Sequence, residues 1–255
     1  MLWLDRGGTG PRTVLLLHGL GATAAVWSGM QWALRRRAEV RWIAVDLPGH
    51  GGSAWQPHYS IGSVAAQIAE HCRDAGPLYV VGHSLGAYLG LALASGWFGV
   101  TVRAVLGLGP KISWAVAEIE AAHQLASRPV RLYPTAEETW ARYRRVSGLG
   151  VDIAPDVHAL ARGAVAVEGG WRLAQDPRTF AVAGAPFVSL AASAVARVRL
   201  ARGAHDPMVS LAELRQFDPA SRDLDGIGHN AHVEAPEALL PLIDELLSDE
   251  QGNAG

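Results

Sequence analysis

The stretch Tyr79-Val80-Val81-Gly82-His83-Ser84-Leu85-Gly86-Ala87 decides how the rest of the chain is read. An apolar, β-type run from Leu78 to Val81 enters a turn of the form G-x-S-x-G, and a small-residue apolar helix follows from about Leu85 to Trp97. At such a strand-to-helix corner the serine is held in a strained conformation with its oxygen outward. The glycines two before and two after it are required because strand and helix pass too closely for larger side chains. The helix also aims unpaired N–H groups and the positive end of its dipole at any oxyanion formed there. An ordinary glycine turn whose serine caps a helix has the same short pattern, so the reading depends on partners elsewhere in the chain.

The 255 residues are 49% hydrophobic and 18% charged, enough for a large α/β domain with an insertion or for two small domains, and not the composition of a disordered chain. A formal net charge of -2, with basic clusters only at Arg35-Arg36-Arg37 and around Arg142 to Arg145, argues against nucleic acid as the main partner. Cys72 is the only cysteine, so neither a disulfide framework nor a thiolate metal cluster is expected, and its place in an amphipathic pattern from Ile61 to Arg73 makes it a core residue. The N-terminus lacks a charged-then-apolar leader. The uncharged stretches Ala75 to Val102 and Thr179 to Ala196 are interrupted by Pro77, the Gly82–Gly86 turn, Gly184 and Pro186, which suits buried elements better than a membrane span. The expectation is a cytoplasmic protein.

Strand runs alternate with helix patterns through the first 110 residues. Thr13 to Leu17 is continuously apolar and ends in His18-Gly19-Leu20-Gly21; a helix pattern from about Ala24 to Arg37 follows. Val40 to Asp46 is the next strand, closing in Leu47-Pro48-Gly49-His50-Gly51-Gly52-Ser53, and Val102 to Leu108 ends at Gly109-Pro110. Continuous rather than alternating hydrophobicity is the mark of parallel strands covered on both faces. From Lys111 to Ala191 strand runs nearly vanish. Thr135-Ala136-Glu137-Glu138 has a capping-box pattern, and Pro155 and Asp176-Pro177 suit first helical turns, so residues 111–191 read as an inserted helical cap. The sheet resumes at Val198 to Leu200 and Ser221 to Leu224; Ser210-Leu211-Ala212-Glu213 opens a short helix, Pro236 to Leu247 a terminal one, and the last residues, Ser248 to Gly255, read as frayed. The core is thus expected in residues 1–110 and 192–255.

A serine hydroxyl needs a base, and the base a carboxylate. In an open α/β sheet both belong on loops after strand C-termini. Asp206 and His229 stand on two such loops, in the chain order Ser, Asp, His. Asp223 and Asp225 precede His229 on its own strand and are badly placed to reach behind it. His232 is expected as a supporting contact. A zinc pair of His229 and His232 lacks the H-E-x-x-H helix, and no metal site or cofactor motif of the G-x-G-x-x-G or G-x-x-x-x-G-K-S/T type is present.

These motifs together resemble the capped α/β-hydrolases over nearly the whole chain. His18-Gly19 is similar to that family's oxyanion-hole segment, and Asp46 to Ser53 to its loop after the next strand. Gly82-His83-Ser84-Leu85-Gly86 looks like its nucleophile elbow, Gly203-Ala204-His205-Asp206 like its acid turn, and Gly228 to Glu237 like its histidine turn. The resemblance implies an α/β-hydrolase fold: a mostly parallel sheet flanked by helices on both faces, with an inserted helical cap. It implies Ser84 as nucleophile, His229 as base, Asp206 as the orienting acid, and backbone N–H groups of Leu20 and Leu85 as oxyanion hole. His18, His83, Trp114, Trp140 and Asn230 are candidates for substrate contact, although His18 and His50 also suit loop bracing. His205 is either a pocket neighbour or a loop residue. The arginines at 142, 144 and 145 either form a solvated helix face or receive an acidic substrate tail. The branch resembled, which includes carboxylesterases and methyl-ester esterases, implies a small, largely apolar carboxylic ester as substrate, cleaved without a cofactor through an acyl-enzyme. Thioesterase, lactonase and carbon–carbon hydrolase chemistry use the same three residues, and a low-turnover receptor or tailoring enzyme shares the fold. Oligomeric state is left open.

Overall fold

The computed structural model describes residues 1–149 and 157–248. The expectations for Pro155 and for the chain beyond Ser248 lie outside the described residues. Strands β1 (Trp3–Gly8) and β2 (Arg12–Leu17) come first, then helix α1 (Ser28–Arg35) after a 3-10 turn, Ala24–Trp27. Next are β3 (Val40–Asp46), α2 (Ile61–Cys72), β4 (Leu78–His83), α3 (Leu85–Leu93) and β5 (Val102–Leu108). Before the sheet resumes, the chain forms α4 (Val116–Ala126), α5 (Ala136–Val146), α6 (Val157–Arg162), β6 (Ala164–Val167), β7 (Gly170–Leu173) and α7 (Phe187–Ser193). It closes with β8 (Arg197–Gly203), α8 (Leu211–Arg215), β9 (Arg222–Leu224), α9 (Ala231–Glu234) and α10 (Leu240–Ser248).

Seven strands form one sheet in the order β1-β3-β2-β4-β5-β8-β9, parallel throughout except that β1 runs against β3. The parallel α/β architecture is therefore the one expected. Alternate residues of each strand feed two cores. Val14 and Leu16 of β2 pack with Trp27, Met30 and Leu34 below α1 and with Ile243 of α10. Leu15 and Leu17 face the other way, toward Ile68 of α2 and Leu89 of α3. Burial on both faces explains why these strands show no polar alternation.

Three differences from the sequence reading have physical causes. The edge strand β1 was not anticipated: its residues Trp-Leu-Asp-Arg-Gly-Gly are mixed in polarity because one edge is open and the burial is partial. Helix α3 stops at Leu93 rather than near Trp97, where Ser95 Oγ donates to the Ala92 carbonyl and Gly96 takes φ +79°. The segment expected to be helical also carries a hairpin, β6–β7, whose two-residue turn is Glu168-Gly169, with Gly169 at φ +84°. The Thr135, Asp176 and Ser210 caps form, each side-chain oxygen accepting a backbone N–H from the following helical turn. Cys72 is buried, and burial pushes its thiol up to about 11. Among the described residues no helix is long and apolar enough to cross a membrane.

Two histidines hold the loops after β2 and β3 together. His18 Nε2 accepts the Leu47 N–H at 3.0 Å, so its proton sits on Nδ1 and is donated to the Gly19 carbonyl at 2.8 Å. His50 Nε2 accepts the Gly21 N–H at 3.1 Å and its Nδ1–H donates to the Pro48 carbonyl at 3.2 Å. His18 is fully buried with both nitrogens committed to backbone, which corrects its candidacy as a substrate contact. Asp46 completes the fastening. Its carboxylate accepts the N–H groups of Ala24 and Gly52, both at 2.7 Å, and pairs with Arg162 of α6.

Two predictions follow from this packing. A Cβ on Gly86 would lie 2.1 Å from the Leu17 carbonyl oxygen, whereas one on Gly62 of α2 meets nothing within 4 Å. Gly86→Ala is expected to lose about 1–3 kcal/mol or more through forced backbone displacement, and Gly62→Ala to gain about 0.4–1 kcal/mol, both read from urea unfolding midpoints. Burial, as the leading cause, lowers His18 to about 4, His50 and His232 to about 3, and His83 well below the ordinary value. The unfolded chain binds protons at these sites from about pH 6.5 downward while the folded one does not, so stability is flat above that pH and falls below it. Each such histidine is expected to steepen the fall by about 1.4 kcal/mol per pH unit until its own folded value is reached. Denaturant midpoints that stay constant between about pH 7 and pH 5 would contradict this account.

Candidate active site

Helix α3 begins one residue after β4 ends, leaving Ser84 alone at the corner. Its φ of 50° is the one positive value at a non-glycine among the described residues. A β-carbon in that region costs of order 1–3 kcal/mol and persists only where the surroundings over-determine it. Here they do. The Ser84 N–H donates to the Leu108 carbonyl at 2.8 Å, and a Cβ at Gly82 would lie 2.2 Å from the Gly86 carbonyl oxygen. The corner also stands at the sheet's switch point: β2 and β4 are neighbours, and the chain leaves β2 toward β3 on one side before returning to β4 on the other. The loop Gly19-Leu20 after β2 therefore lies beside Ser84, with a Cβ on Gly19 placed 3.3 Å from Ser84 Cβ.

The other two residues arrive from the far side. Asp206 follows β8, and His229 follows β9. Backbone bonds from Ala204 N–H to Leu224 O and from His205 N–H to Ile227 O, both 2.9 Å, hold the two loops in register. His229 Nδ1 lies 2.8 Å from Asp206 Oδ2, while Asp206 Oδ1 accepts the Met208 N–H at 2.8 Å. A carboxylate only accepts, so the His229 proton resides on Nδ1 and Nε2 is left with its lone pair. Gly109, at φ +54°, is the close neighbour that makes room: a Cβ there would sit 2.7 Å from Asp206 Oδ2 and 3.2 Å from His229 Nδ1. Asp223, by contrast, is exposed and 3.4 Å from Arg202 Nε. His205 is an exposed loop residue.

Ser84 and His229 line one cavity of about 300 Å³, together with Gly19, Leu20, Leu85 and His83. Among the described residues no hydrogen bond joins the Ser84 hydroxyl to His229; what they share is this cavity. Leu85 opens α3, and its N–H, at the first helical position, has no intrahelical acceptor. The remaining walls are Ile61, Tyr88, Trp114, Val146, Val182 and Met208, with Lys111 and Arg145 as the charged members. Trp114 Nε1 donates to the Tyr88 hydroxyl at 3.3 Å, and Lys111 Nζ lies 5.1 Å from the Trp114 ring centre.

Two other sequence candidates sit elsewhere. Trp140 does not line the cavity; it is half-buried on α5, and its indole N–H has no partner among the described residues. Asn230 is buried and its side-chain amide donates to the Gly148 carbonyl at 2.8 Å, making it a strut between the histidine turn and the loop after α5 rather than a wall. Tyr88 went unnoticed in the sequence although it stands four residues after Ser84, one helical turn on. The apolar walls from α2, α5 and the turn ending at Val182 carry no sequence signal, since they meet only in the folded chain.

Behind His229 lies a stack of neutral imidazoles. His83 Nε2 donates to the His229 carbonyl at 3.0 Å; the two rings are 4.6 Å apart, and His232 stacks on His83 and on Trp27, each at 4.4 Å. Among the described residues neither nitrogen of the fully buried His232 has a hydrogen-bond partner. Among the described residues no group of three or more His, Cys, Asp or Glu side chains is arranged to hold a metal ion.

Comparison with known proteins places this geometry in a family. Residues 14–242 match the family model described as the alpha/beta hydrolase family. A pimeloyl-[acyl-carrier protein] methyl ester esterase of Methylococcus capsulatus is 37% identical over 94 residues, 36% of this chain and 35% of that protein. Esterase Rv0045c of Mycobacterium tuberculosis is 40% identical over 93 residues, 35% of this chain and 30% of that protein. The chain thus spans about a third of the length of these two curated relatives. In solved structures, E-2-(acetamidomethylene)succinate hydrolase superposes with a TM-score of 0.75 at 24% identity, covering 96% of this chain and 94% of the other; at that identity the likeness is one of fold. With the family match running over most of its length, the chain belongs to the alpha/beta hydrolase family.

Proposed function

We propose that the protein is a serine esterase in which Ser84, His229 and Asp206 act as nucleophile, base and orienting acid. The observation that carries this reading is the 2.8 Å bond from His229 to Asp206, which leaves Nε2 free in the cavity that the strained Ser84 also lines. The esterase names of the relatives support it. In the reaction, His229 Nε2 takes the Ser84 proton as Oγ attacks the ester carbonyl. The developing negative oxygen is met by the N–H groups of Leu20 and Leu85, each such donor being worth about 2.7–4 kcal/mol in the transition state. Collapse of the tetrahedral species breaks the bond to the alcohol, which leaves with the proton from Nε2. Water then repeats the sequence on the acyl-enzyme and regenerates Ser84. Residues 111–191 form the cap over this rim in the proposal, supplying Trp114, Val146 and Val182 to an apolar acyl site. No cofactor enters any step.

A fluorophosphonate probe is expected to label the wild-type chain at Ser84, mapped by mass spectrometry, and to leave Ser84→Ala unlabelled. With 4-nitrophenyl esters, Ser84→Ala is expected to lose about 10⁴–10⁶-fold in kcat. Near-normal turnover by that variant would remove Ser84 from the mechanism. Asp206→Asn is expected to lose roughly 10⁴-fold, because an amide can hold His229 in the wrong tautomer. Acyl thioesters run in parallel separate ester from thioester preference.

A further inference from the structure

A second cleft lies beside the catalytic cavity, and its charge is unbalanced. It has a volume of about 220 Å³, and three of its lining side chains are guanidinium groups, those of Arg128, Arg131 and Arg142; among the described residues no Asp or Glu lines it. Among the described residues none of the three has a carboxylate partner. Elsewhere in the same insertion Arg162 pairs with Asp46, Arg178 with Asp176 and Lys111 with Glu118. Three like charges gathered on one concave surface repel one another unless an anion joins them.

The cleft is also held in shape. Arg131 lies 5.0 Å from the centre of the Tyr133 ring, and Tyr133 is clamped to Trp171 of β7 by paired backbone bonds of 2.7 and 2.8 Å. Phe180 and Leu173 supply an apolar floor. Its relation to the catalytic cavity is set by α5. Val146 lines both spaces, and Arg142, one turn earlier on the same helix face, lines the cleft, whereas Arg145 lines the catalytic cavity. Val146 is therefore common to the linings of the Ser84 cavity and the arginine cleft, with Arg145 in the first lining and Arg142 in the second.

We propose that the cleft is a substrate subsite for an anionic group, a carboxylate or a phosphate, carried at the far end of an ester whose reacting carbonyl sits at Ser84. The proposal rests on the esterase reading and narrows it: the part of the substrate near the carbonyl is apolar, and the distal end is charged. The anion belongs to the acyl chain or to the alcohol, and the two sources are separable by experiment.

The test uses the whole chain and two series of esters of increasing length. One series pairs 4-nitrophenyl esters of linear monoacids with those of the corresponding diacids, whose far carboxylate is free. The other pairs short-chain acyl esters of linear alcohols with those of ω-phosphorylated alcohols. The charged member of one series is expected to have a kcat/KM roughly tenfold or more above its neutral match once the chain is long enough to pass Val146. Added salt should erode that preference. Arg131→Gln combined with Arg142→Gln should abolish it and leave neutral esters unaffected. Equal rates for charged and neutral members in both series, or a preference that survives the double substitution, would overturn the subsite. If the wild type hydrolyses no member of either series, charged or neutral, the esterase reading fails, and the cleft is tested alone by calorimetric titration with suberate. Saturable binding lost in the double variant supports it; no binding, or equal binding by both proteins, overturns it.

Discussion

The close approach of α3 to the strands beneath it governs the rest of the molecule. With no side chain at Gly82 or Gly86, the helix starts almost on top of β2 and β4. Any Cβ at either position would overlap backbone atoms, and backbone cannot rotate out of the way as a side-chain tip can. The chain must therefore turn within one residue, and that residue takes the conformation the corner dictates. Strain at Ser84, a hydroxyl at the rim of the cavity and a helix N-terminus beneath it are three consequences of one steric fact. Strand order does the rest. Because β2 is the neighbour of β4, the Gly19-Leu20 loop is delivered to the same rim without any contact chosen for that purpose.

Around this corner the polar interior is arranged to be neutral except where a charge has partners. Asp46 is fully buried but satisfied by two backbone N–H groups and by Arg162. His18 and His50 have each ring nitrogen matched to a backbone group of complementary type, so neither gains from a second proton. His83 and His232 are likewise kept uncharged by burial, with neighbouring imidazoles adding to the effect. An imidazolium formed at His229 is thus backed by neutral rings, and the nearest acid to balance it is Asp206.

Much of this was legible before any coordinates. Continuous apolar runs located β2, β3, β4 and β5 because a strand buried on both faces has no reason to alternate. The elbow, and the order of Asp206 and His229 after it, pointed to loops at strand ends, where the structure has them 2.8 Å apart. Strand β1 was not legible, since a half-exposed edge strand with Asp5 and Arg6 at its centre lacks that signal. The β6–β7 hairpin did carry a cue, the Gly169-Gly170 pair after the Ala164–Val167 run, but it was outweighed by the helix caps on either side. Trp140 and Asn230 were misjudged for a common reason: residue type suggests what a side chain can touch, and only packing decides which way it points. The cavity walls and the arginine cleft depend on segments distant in the chain that converge on α5, a relation no local pattern encodes.

The amide of Asn230 reaches across from the turn that bears His229 to the backbone carbonyl of Gly148, just past the end of α5. That contact yokes the general base of the proposed mechanism to the segment whose helix also walls the substrate space. An outward excursion of that segment must either sever the link or pull the imidazole's own loop along with it. Admission of a ligand and readiness for proton transfer are mechanically joined at that point.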